Sequence, residues 1–227
     1  VAAGFAAARM GARTLIVEQF NCLGGVATAG GHGHICLYSA WASDERVVGG
    51  IPFEMARRVA AAGYGVHNNS YADFEVEGMK LVLDRMAEEA GAGLLYHSFA
   101  ADAVVEDGAV RGVVVQNKDG RRVVRAKRVI DCTGDGDVAA RAGCAFEQGE
   151  AGTGLCQPAT LMFTIGGVNL HAFSDFQRIE GYKMEGVWKR AQAAGDMRPF
   201  QSTVMGWWYT PTRPDQVGQN FTHIVGV

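Results

Sequence analysis

The apolar positions of this chain fall into short runs punctuated by glycine, and their spacing predicts alternating strands and helices. Residues 2–11 are small and apolar around Gly4, which suits a helix packed closely on a sheet. Leu15, Ile16 and Val17 then read as a short buried strand ending in the acidic Glu18. A glycine-rich stretch covers 19–33. A helix is expected over 51–61, with Pro52 near its start, where a missing N–H costs little. Residues 71–74 read as polar and turn-like. Met79, Leu83, Met86 and Ala90 share one stripe at helical spacing, so 76–90 is an amphipathic helix that Gly91 and Gly93 stop. Residues 94–97 form a short strand, the expected parallel neighbour of 14–17.

Further on, β-branched runs at 103–106, 110–116 and 123–130 are separated by Asp107-Gly108 and Asp119-Gly120, the pattern of a three-stranded antiparallel meander. The last run is expected to continue as a buried strand to Asp131. It empties into Cys132-Thr133-Gly134-Asp135-Gly136-Asp137, and a small-residue helix is expected from Val138, with Asp137 as its cap. Beyond about 146 the texture changes. A strand is expected over 159–165 and helix around 171–194, followed by an aromatic segment at 206–210. The predicted organisation is therefore α/β. A Rossmann-like parallel sheet with a meander occupies 1–150, and the start of a second, α+β, substrate-facing domain occupies 151–227.

Bulk properties narrow the class. Of 227 residues, 48% are hydrophobic and 20% charged, and 31 glycines against 5 prolines suit many tight strand–helix turns. The net charge of −3 makes no electrostatic case for nucleic acid or an anionic membrane. No apolar run approaches the roughly 20 residues of a membrane span. The five cysteines, Cys22, Cys36, Cys132, Cys144 and Cys156, are odd in number and widely spaced. That argues against a disulfide framework, a zinc site or an iron–sulfur cluster and points to free thiols of a reducing, cytoplasmic compartment. The apolar start lacks the charge order of a signal peptide. It also lacks an initiator Met and opens in mid-helix, so a first strand with its G-x-G-x-x-G loop is expected before Val1.

Two passages carry candidate chemistry. In a parallel α/β sheet, ligands bind beyond the carboxyl ends of strands, and the acid ending the second strand accepts hydrogen bonds from ribose hydroxyls. Glu18 stands at such a position, with Gly24 and Gly25 close behind, and the turn 133–136 leaves a second strand. Glycines there let backbone approach a ligand. His32 and His34 are candidate catalytic residues, as proton donor or substrate anchor, or else structural loop histidines. No partner carboxylate is assignable from the sequence. Their H-x-H spacing lacks a third ligand for a metal. Arg198 and Arg213 are candidates for binding a substrate carboxylate, and the spacing selects neither.

The stretches 6–31, 78–84, 126–146 and 157–167 resemble the FAD-dependent oxidoreductase family with the glutathione-reductase-type Rossmann fold, in the branch related to fumarate reductase and succinate dehydrogenase flavoproteins. The resemblance implies bound FAD and redox chemistry on a small organic substrate, with the second half of the FAD fold beyond Val227. It gives Glu18 and Gln19 to the adenosine end, Ala101 or Asp102 to adenine through backbone atoms, and Gly24, Gly25 and Thr28 to the diphosphate. Gly30 and Gly31 go to the isoalloxazine, where backbone N–H groups would tune the ring. Thr133, Gly134 and Asp135 go to the nucleotide end. Read from residues alone, Glu18 serves the ribose of NAD equally well, so a nicotinamide-dependent dehydrogenase stays open, as does a cofactor-free module of the same fold. With the first glycine loop absent, residues 1–227 alone are expected to hold FAD weakly. In the intact flavoprotein, Glu18→Ala is expected to weaken FAD retention by roughly 1–3 kcal/mol, the loss of a charge-assisted bond. Dialysis of wild type and variant followed by flavin absorbance measures it.

Overall fold

A computed structural model describes residues 1–36, 38–40, 43, 45–197, 206–220 and 222–224. In chain order the first half runs α1 (Ala2–Arg9), β1 (Leu15–Val17), β2 (His34–Cys36), α2 (Gly50–Ala61), β3 (Gly65–His67), β4 (Tyr71–Phe74) and α3 (Val76–Ala90). Next come β5 (Gly93–Leu95), β6 (Phe99–Glu106), β7 (Ala109–Asn117), β8 (Gly120–Arg125) and α4 (Asp137–Arg141). The remainder is β9 (Ala159–Thr160), β10 (Phe163–Ile165), α5 (Leu170–Glu180), α6 (Glu185–Ala194), β11 (Gly206–Thr210), β12 (Arg213–Asn220) and β13 (His223–Ile224). Among the described residues the fold is mixed α/β, with one parallel pair and several antiparallel sheets. The chain divides into two compact units, both discontinuous: Val1–Gly24 with Leu83–Gln148, and Gly25–Val82 with Gly149–Val227.

In the first unit β1 and β5 pair in parallel, Ile16 opposite Leu94. α1 lies so close to β1 that a Cβ on Gly4 would stand 2.6 Å from Ile16 Cδ1. That contact explains the small residues of α1, and Phe5 fills the space beneath them with no exposure. Of the α3 stripe, Met79, Leu83 and Met86 are inaccessible as their spacing predicts, while Ala90 at the helix end is half-buried. Its end is a six-to-one closure: Ala92 N–H donates to Ala87 O at 3.1 Å and Gly91 takes a φ of 68°, a left-handed position that glycine fills without strain.

β6, β7 and β8 form the expected meander. The first hairpin has Asp107 and Gly108 both at positive φ, the mirror-image turn that matches strand twist. Two bulges interrupt the β6–β7 pairing: Ala101 is the extra residue on β6, between Ala100 and Asp102, and Arg111 is the extra residue on β7, opposite the step from Val104 to Val105. The third strand is shorter than the sequence suggests. After Arg125 the ladder closes with Ala126 N–H to Arg111 O at 3.0 Å, and 126–131 belongs to no strand, with Ile130 62% exposed. A β-branched run becomes a strand only where a neighbour takes its backbone groups, and no described strand lies alongside this one.

In the second unit β2, β4 and β3 make an antiparallel sheet with β4 at its centre. The expected turn at 71–74 is thus a strand. Ala72 and Phe74 are buried while Tyr71 and Asp73 face the other way, an alternation of only four residues that reads as polar along the sequence. α2 packs on β3 and β4. β10, β12 and β11 form a second antiparallel sheet, and β9 pairs with β13. The single strand expected over 159–165 is therefore two, in different sheets. The helical stretch is also two helices, parted at Gly181, with Asn169 Oδ1 capping α5 by accepting from the N–H groups of His171 and Ala172.

Gly112 of β7 has no room for a side chain: a Cβ would lie 2.5 Å from the carbonyl oxygen of Val124 on β8. Because backbone cannot step aside as a side chain can, Gly112→Ala is expected to cost roughly 1–3 kcal/mol, read as a lowered denaturation midpoint.

Candidate active site

The first unit carries the adenosine-end candidates. Glu18 follows β1 and is locked by its backbone, with its N–H donating to Leu95 O and its carbonyl accepting from Ser98, both at 2.9 Å. Its carboxylate folds over the next turn, where Oε1 accepts from Phe20 N–H at 2.9 Å. Gln19 is exposed beside it. Ser98 leads directly into β6, where Ala101 is the extra residue of the first bulge and pairs with no residue of β7. α4 packs on β6, so the turn before α4 is a neighbour of the same strand. Beside Glu18, the Tyr96 hydroxyl donates to Asp84 Oδ1 at 2.6 Å. Burial first, then that bond, and then the nearby Asp84, Cys22 and Glu18 raise the phenol's pKa, which keeps it a donor.

The turn 131–137 is organised by a residue that the motif did not single out. Asp131 Oδ1 accepts from both the N–H and the hydroxyl of Thr133, at 3.0 and 2.8 Å, and Oδ2 accepts from Ala139 N–H at 2.9 Å. Thr133 Oγ1 in turn accepts from Asp137 N–H at 2.9 Å. Asp131 thus does the capping expected of Asp137, which is the first residue of α4 and pairs with Arg141 at 2.7 Å. Gly134 and Gly136 hold φ of 101° and 71°, and a Cβ on either would meet nothing within 4 Å, leaving the turn open on its outer side. Asp135 is exposed there. Partial burial raises the Asp131 carboxyl, but the bonds from Thr133, Ala139 and Val138 outweigh it and hold the group below its ordinary range.

The second unit carries the loop. Gly25 O accepts from Thr28 N–H and Gly30 N–H, Thr28 O accepts from Gly31 N–H, and Val26 O accepts from His32 N–H, all at 3.0–3.1 Å. The glycine run is therefore a folded turn, with the N–H groups of Thr28, Gly30, Gly31 and His32 donated within it. Thr28 is 2% exposed, inside the protein. A Cβ on Gly33 would lie 2.6 Å from Phe74 O and 2.8 Å from Trp208 Nε1, so the chain leaves the loop pressed against both. His32 meets Trp208 edge to face at 4.8 Å. Burial, then His34, lowers its pKa, favouring the neutral ring. His34 has the carboxylate partner that the sequence did not reveal: Nδ1 is 2.5 Å from Asp73 Oδ1, across the β2–β4 ladder.

An open cleft of about 240 Å³ in this unit is lined by Gly31, Glu75, Trp208, Thr210, Arg213 and Gln216 among others. Glu75 Oε2 accepts from the Thr212 hydroxyl at 2.7 Å, and its Oε1 stands 4.0 Å from Arg213 Nε. Of the two candidate arginines, Arg213 lines this cleft. Arg198 lies outside the described residues. No group of three metal-ligating side chains occurs among the described residues, and no described helix is long and apolar enough to cross a membrane.

Over residues 1–224 the chain matches the family described as FAD dependent oxidoreductase, and it belongs to that family. Membership decides for flavin over nicotinamide. No curated protein matches it. Among solved structures, CabE, an aromatic hydroxylase from angucycline biosynthesis, is 15% identical over 99% of this chain and 42% of its own, with a TM-score of 0.51. That likeness is one of fold. THI4 of Thermovibrio ammonificans is 22% identical over 62% of this chain and 55% of its own, TM-score 0.43. Aklavinone-11 hydroxylase, solved with FAD and aklavinone, is 17% identical over 97% of this chain and 43% of its own, TM-score 0.43. The chain spans about half the length of these structures or less.

Asp131 should also govern acid stability. Its folded pKa is depressed, so its contribution is fully present above the unfolded value of about 3.9 and fades as pH falls through the folded value. Asp131→Ala is expected to cost roughly 1–3 kcal/mol at neutral pH and to lose less than wild type below about pH 4, as denaturant titrations at the two pH values would record.

Proposed function

We propose that this chain forms the FAD-binding part of an oxidoreductase that moves a hydride or electrons between flavin and a small organic substrate. The observation that carries the reading is Glu18, held by backbone bonds on both sides at the end of a parallel strand, where a ribose-binding acid belongs. The residues present suit the cofactor. The bulge at Ala101 leaves backbone out of its ladder, and the turn at 133–136 is open where a Cβ on Gly134 or Gly136 would project.

In this reading Glu18 and Gln19 take the ribose, Ala101 takes adenine by its backbone, and Thr133, Gly134 and Asp135 take the nucleotide end. Gly24 and Gly25 serve the diphosphate together with Thr28, which lies buried in the loop. Gly30 and Gly31 meet the ring by Cα and carbonyl, since their N–H groups are already donated within the loop. Bound FAD supplies a two-electron acceptor. His32 and His34 handle protons, and Arg213 neutralises an anionic group of the substrate. Residues 1–150 then serve chiefly the nucleotide, and 151–227 open the substrate-facing domain.

The partner is a small molecule and not nucleic acid, in keeping with the net charge of −3. A cytoplasmic setting suits the five free cysteines, four of them exposed. The test is flavin loading followed by anaerobic reduction. The intact protein is expected to copurify with FAD, and its visible flavin absorbance to bleach on adding an oxidisable substrate. Apoprotein that takes up no FAD would instead support a cofactor-free module.

A further inference from the structure

We propose that Asp73 is a positioning residue that holds His34 in one tautomer, so that His34 Nε2 is the base that takes the substrate's proton. The base role rests on the flavin-oxidoreductase reading above. The tautomer does not. His34 Nδ1 and Asp73 Oδ1 are 2.5 Å apart. An ionised carboxylate only accepts, so the hydrogen between them belongs to Nδ1 whether the ring is neutral or charged. In the neutral ring Nε2 therefore keeps its lone pair.

Three features fix this arrangement. His34 and Asp73 are direct partners in the β2–β4 register. Tyr71, two residues along β4 on the same face, stacks on the imidazole at 5.8 Å and 30°. The Asp73 side chain is 13% exposed and that of His34 26%, so the carboxylate is more sheltered than the ring it orients. A pair that only fastened β2 to β4 would add little, because the backbone ladder already joins them.

His32 approaches from the loop, with its ring 6.0 Å from His34 and edge-on. It in turn meets Trp208, which lines the cleft. Burial favours a neutral His32, so a proton on His34 faces one carboxylate and no second cation among these neighbours. The step is a plain proton transfer. A polarised O–H, N–H or C–H bond of the substrate breaks, its proton bonds to Nε2, and its electron pair remains on the substrate. Asp73 balances the imidazolium and stays ionised, since it accepts the Nδ1 hydrogen bond throughout.

Nitrogen-15 NMR of histidine-labelled intact protein reads the tautomer directly. Neutral His34 is expected as Nδ1–H in wild type, and Asp73→Ala is expected to lose that preference. Asp73→Asn, which can turn an N–H toward Nδ1, should impose the opposite tautomer. Both Asp73→Asn and His34→Gln are expected to lower kcat by roughly 10²–10⁴-fold with KM little changed, as for loss of an acid–base group. A neutral wild-type ring with its one proton on Nε2 overturns the dyad even with flavin bound. A kcat in both variants close to wild type overturns the base role. A protein that takes up no flavin overturns the reading beneath that role, while the tautomer is still measured.

Discussion

The second unit is arranged around the indole of Trp208, which is 5% exposed. Gly33 and Gly218 flank it so closely that a Cβ on either would stand 2.8 or 2.2 Å from ring atoms. His32 covers it edge to face. One ring thereby fastens the exit of the glycine loop to the β11–β12 hairpin. Truncating such a ring typically costs roughly 3–5 kcal/mol, a large share of a domain's net stability. The contact needs glycine on both sides because close packing leaves no slack for even one methyl group. From it follow the positions of His32, then His34, and of Gly31 at the cleft.

The first unit depends on carboxylates that serve backbone. Asp131 accepts from Thr133 and Ala139, and Glu18 accepts from the turn that follows it. Each satisfies donors that would otherwise be left open where a strand or extended segment gives way to a turn. A turn ordered in this way can be glycine-rich and still hold one shape. That explains how the segment at 133–136 combines open space with definite geometry, the combination a dinucleotide contact requires.

The second unit places one carboxylate beside an imidazole and another near a guanidinium: Asp73 at His34, and Glu75 near Arg213. The two pairs differ in closeness. At 2.5 Å, Asp73 dictates where a hydrogen sits. At 4.0 Å, and with the Arg213 side chain 60% exposed, the Glu75–Arg213 pair is a weak, solvent-screened attraction. Arg213 is thus able to exchange its partner for an anionic ligand, whereas His34 is committed to its own.

Periodicity and turn chemistry alone determined the long elements. The α3 stripe and the Asp107-Gly108 hairpin read correctly because their signals are local, being helical spacing and a turn that demands positive φ. The family motif, with Glu18 before Gly24 and Gly25, was legible for the same reason. Tertiary structure decided what depends on partners distant along the chain. Residues 71–74 became a central strand because His34 and Val66 flank Asp73 on either side, and no four-residue window carries that information. The run at 126–131 stayed out of any described sheet for want of a neighbour. Asp73, 39 residues from His34, emerged as its partner only through strand register. Local signals fix which conformations a segment favours. Pairing, burial and charge contacts are settled by segments that meet only when the chain folds.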